Sequence, residues 1–508
     1  MRVVTTPLPG AVPLPAPRPL GGLADSLLQA IVAAPGIASA LDRLRHPETL
    51  VVTTGQQPGL FTGPGYTVYK ALSAAALARE LERRWSRPVV AVFWLASDDH
   101  DFSEARWASW LSVEGDLVTA ALPERDANAP LTPLYRTPLG PEITALLQQL
   151  EETLPASEFR DTTLAWLRRH YVPEATVAEA CRGALAELVG QWGVVCLDST
   201  HPAVKNAAAP LILKALELAE PLERALVARA HDLETAGTPA GVAVGDGTTL
   251  AFLEHEAGRD RLLRDGDAFL TRRGLRRVTR AELVRIADRE AWRLSPNVLL
   301  RPVIESALLP TVAYVAGPGE LTYLPLAAPL YDALEVPAQV AVPRWSGVVV
   351  EPRVDRVLAK FGAALEELMT PGQQLEARVV RAQLPAAAVD AAARLRRAIE
   401  AEYDALLPAV RSVDPTLERP TVAARQQALR GLAELEKKVA QHLRKREAVE
   451  LAQIARARTA VLPRGLPQER VLTAACWLGR YGPAFLDDVF ARIEEWYAAA
   501  LVGRTATS

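Results

Sequence analysis

The stretch from Leu50 to Arg84 constrains this chain most. A short apolar run, Leu50-Val51-Val52-Thr53, breaks into Thr54-Gly55-Gln56-Gln57-Pro58-Gly59-Leu60-Phe61-Thr62-Gly63-Pro64-Gly65, and the chain then turns alanine-rich. That order predicts a strand, a glycine-rich loop and a helix. Val68, Leu72 and Ala76 step by four, and Leu77 and Leu81 extend the stripe. The helix thus has an apolar face for a sheet, with Arg79, Glu80, Glu82, Arg83 and Arg84 at its end and on its wet side. Glycine lets backbone turn sharply and approach a ligand, Pro64 suits the first helical position, and the free donors of a helix start favour an anion. Thr54, Gly55, Gln56, Gln57, Gly59, Thr62 and Gly63 are therefore candidate substrate- or nucleotide-binding residues. The alternative is a tight connection with no ligand.

The next apolar run, Pro88 to Ala96, is nearly continuous, as in a strand covered on both faces, and leads into Ser97-Asp98-Asp99-His100-Asp101-Phe102. Carboxylates and an imidazole at a strand's carboxyl end lie where open α/β sheets bind ligands. His100, with Asp99 and Asp101, is the candidate catalytic group. An acidic loop that only caps the following helix is the structural alternative. A metal site built from Asp98, Asp99, His100 and Asp101 is another, although no second His or Cys cluster lies at ligand spacing nearby, so no metal is expected.

A chain of 508 residues has room for about three domains and a large core. Its formal charge of -3, with no long basic block, argues against nucleic acid as a partner. Cys181, Cys196 and Cys476 lack paired or metal spacing and read as buried thiols of a reducing compartment. No charged leader and no uncharged apolar run of membrane-spanning length occurs, so the expectation is a soluble cytoplasmic protein without a membrane partner. Pro7, Pro9, Pro13, Pro15, Pro17 and Pro19 predict an extended amino terminus lying along a domain surface without an element of its own.

Further along, residues 102–122 alternate as a hairpin does, and helices are predicted over 141–154 and 175–191. A core strand, Gly193 to Leu197, ends at Asp198, a further candidate or an N-cap, and a long helix follows from Ala203 to Ala230. Short strands with turns at Gly245-Asp246-Gly247 and Asp265-Gly266-Asp267 make a β-rich lobe between Ala240 and Arg276. After Ser295-Pro296-Asn297 and a helix to Leu308, the strand Thr311 to Val315 ends in Ala316-Gly317-Pro318-Gly319-Glu320. This second glycine-rich turn could offer backbone donors to a carboxylate or phosphate. Asn297, Gly317, Gly319 and Glu320 join the candidates, and so does Arg301, whose alternative is a pair with Glu305 one helical turn on. Beyond Pro352 the chain is helical. Leu395, Ile399 and Leu406, then Leu432, Leu435, Val439 and Leu443, form two stripes separated by the breaker Pro408 to Pro420, which predicts an antiparallel coiled-coil hairpin that either makes a homodimer contact or packs only on its own core. Arg464, Gln468 and Arg470 reach a ligand or cap helix ends.

Taken together, Thr54 to Pro64, Phe93 to Phe102, Ser295 to Pro302, Ala313 to Glu320 and Pro467-Gln468-Glu469-Arg470 resemble the BshC family, known for a cysteine ligase of bacillithiol biosynthesis. The likeness runs over almost the full chain. It implies an α/β fold: a Rossmann-like, nucleotidyltransferase-type core over 1–374, with inserted segments at about 102–172 and 236–294, and an α-helical antiparallel coiled-coil domain over 375–508. It also implies cysteine and glucosaminyl-malate as substrates and amide-bond formation as the reaction. The chain departs from the family at Asp98, where Glu is usual, at 236–240, which lack an aromatic and a histidine, and after Glu320, where a tryptophan is missing. No Gly-x-x-x-x-Gly-Lys-Ser/Thr loop occurs, so ATP or another nucleotide, if one is used, is expected to be held as in nucleotidyltransferases. His100 is then expected to act as base toward the amine or to steady the leaving group, with Asp99 or Asp101 fixing its tautomer. The alternatives are a metal-dependent hydrolase using the Asp-Asp-His-Asp cluster and a non-catalytic nucleotide-binding scaffold.

Overall fold

Five parallel strands carry the larger part of the chain. In chain order they are β1 (Leu50–Gln56), β2 (Val89–Leu95), β3 (Val195–Asp198), β4 (Thr311–Ala316) and β5 (Val340–Pro343), and across the sheet they run β5-β4-β1-β2-β3. The computed structural model describes residues 1–6, 12–18 and 23–501. Every residue of β2 is buried, as its unbroken apolar run requires when both faces are covered. Val90, Val92 and Trp94 share a core with Val204, Ala208 and Ile212 of the helix Pro202–Glu217. Helix α1 (Tyr66–Trp85) packs on β1 and β2. The chain steps from β1 to β2 on one side and places β4 on the other, so the strand order reverses at β1. An open α/β sheet has its ligand crevice outside the carboxyl ends at that point.

The first loop differs from its sequence reading. β1 runs on to Gln56, a short 3-10 turn occupies Leu60–Thr62, and α1 begins at Tyr66, so Pro64 stands before the helix rather than at its first position. Because the terminal helix Ala484–Ala500 also packs on α1, the helix is buried nearly all round. Glu80 is accordingly not on a wet face: it is buried and accepts from Arg83 and Arg84. Arg2–Thr5 form a strand where only extended chain was expected. Pro13 and Pro17 are exposed and Pro15 is buried, while Pro7, Pro9 and Pro19 lie outside the described residues.

The predicted hairpin (Trp107–Leu111 with Leu117–Ala121) and the helices Glu142–Thr153 and Val177–Val189 are present. The long helix after β3 is two helices, Pro202–Glu217 and Ala219–Thr235, broken at Leu218. The β-rich lobe is an antiparallel sheet in which Leu294–Pro296 pairs with Thr248–His255, and the latter with Gly258–Asp265. Helix α2 (Arg301–Leu308) returns the chain to β4.

By packing, the chain divides into two compact units: Val3 to Val349 together with the chain from Gln468 on, and Val350 to Pro467 together with Met1 and Arg2. The sequence reading had grouped everything from residue 375 on as one domain. In the smaller unit, Ala386–Val413 and Glu418–Arg446 form the expected helical hairpin, joined through Pro415–Leu417. Leu432 and Leu443 are buried there, whereas Leu395, Leu406 and Leu435 remain exposed. All three cysteines are buried thiols outside any disulfide, and no helix among the described residues is long and apolar enough to cross a membrane.

Candidate active site

Two adjoining cavities open at the carboxyl ends of β1, β2 and β4. The first, of about 370 Å³, is bounded by Gly55, Gln56 and Gln57 after β1, by Gly317 to Glu320 after β4, and by Tyr66, Lys70, Arg301, Arg344 and Arg470. The second, of about 330 Å³, is lined by Asp98 to Asp101 after β2, by Lys205 and Asn297, and by Arg259, Arg261 and Phe252 of the β lobe. Gln57, Ala96, Asp99, Val298 and Arg301 line both, so the two halves form one cleft.

Lys70 organises the floor of the first half. It is 1% exposed on α1, and its ammonium donates to Gly55 O at 2.5 Å and to Gln56 Oε1 at 3.2 Å and pairs with Glu320 at 2.5 Å. Burial draws that ammonium below the usual lysine range, while Glu320 opposes the shift. Glu320 also accepts from Gly317 N at 2.7 Å and from Tyr314 OH at 2.6 Å. Burial pushes its carboxyl up, but Lys70 and Arg301 outweigh that and hold it below the ordinary value. Arg301 reaches Glu305 at 2.5 Å and Tyr314 OH at 3.2 Å, so the expected pair with Glu305 and a position in the cleft occur together.

The acidic loop serves three different ends. Asp98 is paired with Lys205 at 3.0 Å, and Lys205 with Arg259 keeps its carboxyl low despite burial. Asp99 accepts from the backbone amides of His100 and Asp101 at 2.6 and 3.0 Å. Asp101 caps the short helix Phe102–Ala105 through Glu104 N at 3.1 Å. Neither Asp99 nor Asp101 hydrogen-bonds the His100 ring, contrary to the expectation that one of them fixes its tautomer. Arg259 does so, with Nη1 at 3.1 Å from Nδ1. Burial first, and then Arg259, lower the His100 pKa against the pull of the three aspartates. Among the described residues no group of three or more His, Cys, Asp or Glu side chains is placed to hold a metal ion, and these four point to separate partners.

Of the residues singled out from the sequence, Gly55, Gln56, Gln57, Asp99, His100, Asp101, Asn297, Arg301, Gly317, Gly319 and Glu320 come together in the cleft. Asn297 holds the turn into α2 by accepting from Leu299 N and Leu300 N. Gly59, Thr62 and Gly63 line neither cavity. Their loop is packed inside the protein, where Thr62 N donates to Tyr171 OH, Tyr171 OH donates to Gly59 O, Gly63 N donates to Leu60 O and Gly65 N donates to Leu472 O. The backbone donors of Thr62, Gly63 and Gly65 are therefore already satisfied inside the protein. Gly317 N is likewise taken by Glu320. Thr54 is buried in the sheet, donating to Val315 O at 2.8 Å. Asp198 lies outside both cavities, bonded to Arg182 and closing a turn through Thr200. Gln468 pairs with the Val349 backbone and Glu469 with Arg344, which leaves Arg470 in the cleft. Lys70, Lys205, Arg259, Arg261 and Arg344 were not foreseen.

The family model described as the N-terminal Rossmann-like domain of bacillithiol biosynthesis BshC matches residues 23–345, and that of its C-terminal coiled-coil domain matches residues 347–497. Relatives named "Putative cysteine ligase BshC" include one from Salinibacter ruber, 32% identical over 454 residues, covering 89% of this chain and 82% of the relative. Another, from Symbiobacterium thermophilum, is 33% identical over 453 residues, covering 87% and 81%.

Proposed function

The chain belongs to the BshC family, and from that premise we propose that it is a ligase that joins cysteine to glucosaminyl-malate through an amide bond, the last step of bacillithiol biosynthesis. One observation carries the reading. Arg470 in the first half of the cleft and Arg261 in the second have no carboxylate partner among the described residues, and they stand in the same cleft as His100. Guanidinium groups left unneutralised suit an anionic substrate such as the malyl carboxylates. His100 lines the second half of the cleft, where it is available to an acyl group. Joining a carboxylate to an amine in water requires an activated acid, and the proposal assigns that activation to ATP or another nucleotide as co-substrate.

The test is a mass-spectrometric assay for the coupled product, with cysteine, glucosaminyl-malate and ATP each omitted in turn. Product that needs both acceptor and cysteine supports the ligase; no product with all three present refutes it, and product without ATP refutes the nucleotide's part. His100→Ala is expected to keep the fold and to lose cysteine transfer by at least about a hundredfold. Undiminished transfer removes His100 from the chemistry. A metal-dependent hydrolase would require the four loop side chains to converge, which they do not; a scaffold would bind ligand without turnover.

The proposal includes a homodimer through the helical hairpin, supported by the exposed Leu395, Leu406 and Leu435. It places the protein in the cytoplasm, in keeping with three cysteines left as thiols.

A further inference from the structure

Arg259 is 8% exposed on the strand Gly258–Asp265, and its guanidinium is fixed on three sides. Nε donates to Ser295 Oγ at 2.8 Å, Nη2 donates to Pro296 O at 2.8 Å, and the group lies 4.0 Å from the Phe252 ring centroid. The direction left to Nη1 is the one that meets His100 Nδ1 at 3.1 Å. A guanidinium has donors only and keeps its charge at any working pH. Nδ1 must therefore present a lone pair, and the ring proton sits on Nε2.

We propose that Arg259 is a positioning residue that holds His100 as the neutral, Nε2-protonated tautomer, so that His100 serves the cleft as a hydrogen-bond donor and not as a base. The tautomer stands on geometry alone; the catalytic consequence rests on the ligase reading above.

The charges facing the ring are consistent with this. From its own loop come Asp98, Asp99 and Asp101, from the β lobe Arg259 and Arg261, and from the helices lining the same cavity Lys205 and Arg301. Asp98 is matched by Lys205, Asp99 is spent on two amides and Asp101 on a helix cap. Among the described residues no carboxylate pairs with the ring, and the pull of the three aspartates is outweighed by burial and Arg259. Nε2 has no partner among the described residues and is left for a ligand. Taking a proton on Nδ1 would break the contact with Arg259 and set two cations side by side. Giving up the Nε2 proton would leave an imidazolate. What remains is to polarise the oxygen of the acyl group, as a neutral imidazole can, and a preorganised donor of this kind contributes on the order of a hundred- to a thousandfold in rate.

The experiment uses the full chain with ¹⁵N-labelled histidine and multiple-bond ¹H–¹⁵N spectra between pH 6 and 8, the His100 signals being assigned by their loss in His100→Gln. The expected result is the Nε2-protonated form throughout. In Arg259→Met, His100 is expected to titrate at higher pH and to populate the Nδ1-protonated form, and the acid limb of the pH–rate profile moves up with it by about one unit. Arg259→Lys, which keeps the charge without the fork, should restore part of the wild-type pattern. An Nδ1-protonated ring or an imidazolium at pH 7 in the wild type overturns the proposal, and that spectrum decides even where Arg259→Met fails to fold. Cysteine transfer with the other tautomer sinks this inference and spares the ligase; the expected tautomer without any transfer does the reverse.

Discussion

Glu305 offers the most quantitative test of the electrostatics beneath the cleft. It is fully buried on α2, its Oε1 accepts from Arg301 at 2.5 Å, and its Oε2 has no hydrogen-bond partner. Burial pushes its carboxyl up from 4.5 to about 7, with Arg301 opposing and the Glu320 charge adding to the rise. Each unit is worth about 1.4 kcal/mol, so keeping Glu305 ionised in the fold costs about 3.5 kcal/mol. The sign follows from the raised value. The proton is held more tightly in the folded state, so the group's contribution is complete below 4.5 and is lost as pH rises through about 7. About three-quarters of it, about 2.5 kcal/mol, disappears between pH 5 and pH 8. Glu305→Gln cannot ionise and lacks this loss. Asp98 and Glu320 are held below their ordinary values, so they stay ionised in both proteins from pH 5 to pH 8 and add no slope of their own there. Urea unfolding of wild type and variant at pH 5, 6, 7 and 8, followed by tryptophan fluorescence, should show the variant gaining about 2.5 kcal/mol relative to wild type across that range. A difference that stays constant with pH would mean that Arg301 keeps Glu305 ionised throughout and that the orphaned Oε2 costs nothing.

Arg470→Ala removes a cation with no carboxylate partner among the described residues and should raise KM for the anionic substrate by roughly ten- to a hundredfold with little change in kcat, since a hydrogen bond to a charged group is worth about 1.5–3 kcal/mol. Steady-state kinetics of cysteine transfer measures it, and an unchanged KM excludes Arg470 from the substrate. In the hairpin, Leu395→Glu with Leu435→Glu, at positions 50% and 58% exposed, should convert a dimer to monomer in sedimentation velocity without lowering helix content. A wild type that sediments as a monomer ends the dimer proposal.

The sheet was legible because the runs that form β1, β2 and β4 are apolar on both faces, a pattern set by local sequence alone. The hairpin was legible for the same reason, through its heptad-like steps. The first loop was legible only in half. Gly55 to Gln57 stand in the cleft, but the fate of Gly59 to Gly63 was decided by Tyr171 and Thr473, which arrive from remote parts of the chain to take their polar groups. Lys70 left a fainter signal: the positions three and four residues away are Tyr66, Thr67, Ser73 and Ala74, so no helical neighbour could neutralise it, and its partner had to come from across the fold.

Arg259 shows why local rules mislead at such a site. It stands directly opposite Glu254 across the antiparallel pair, and a cross-strand ion pair would be the ordinary expectation. Glu254 is instead taken by Arg136 at 2.8 Å and by Tyr135 OH at 2.7 Å, both from the segment that follows the first hairpin. With its natural counter-ion neutralised from outside the lobe, Arg259 keeps its charge and its third donor for His100. The state of the histidine therefore depends on two residues, Tyr135 and Arg136, that touch neither His100 nor Arg259, and weakening their hold on Glu254 would give Arg259 a competing partner and loosen the ring it positions.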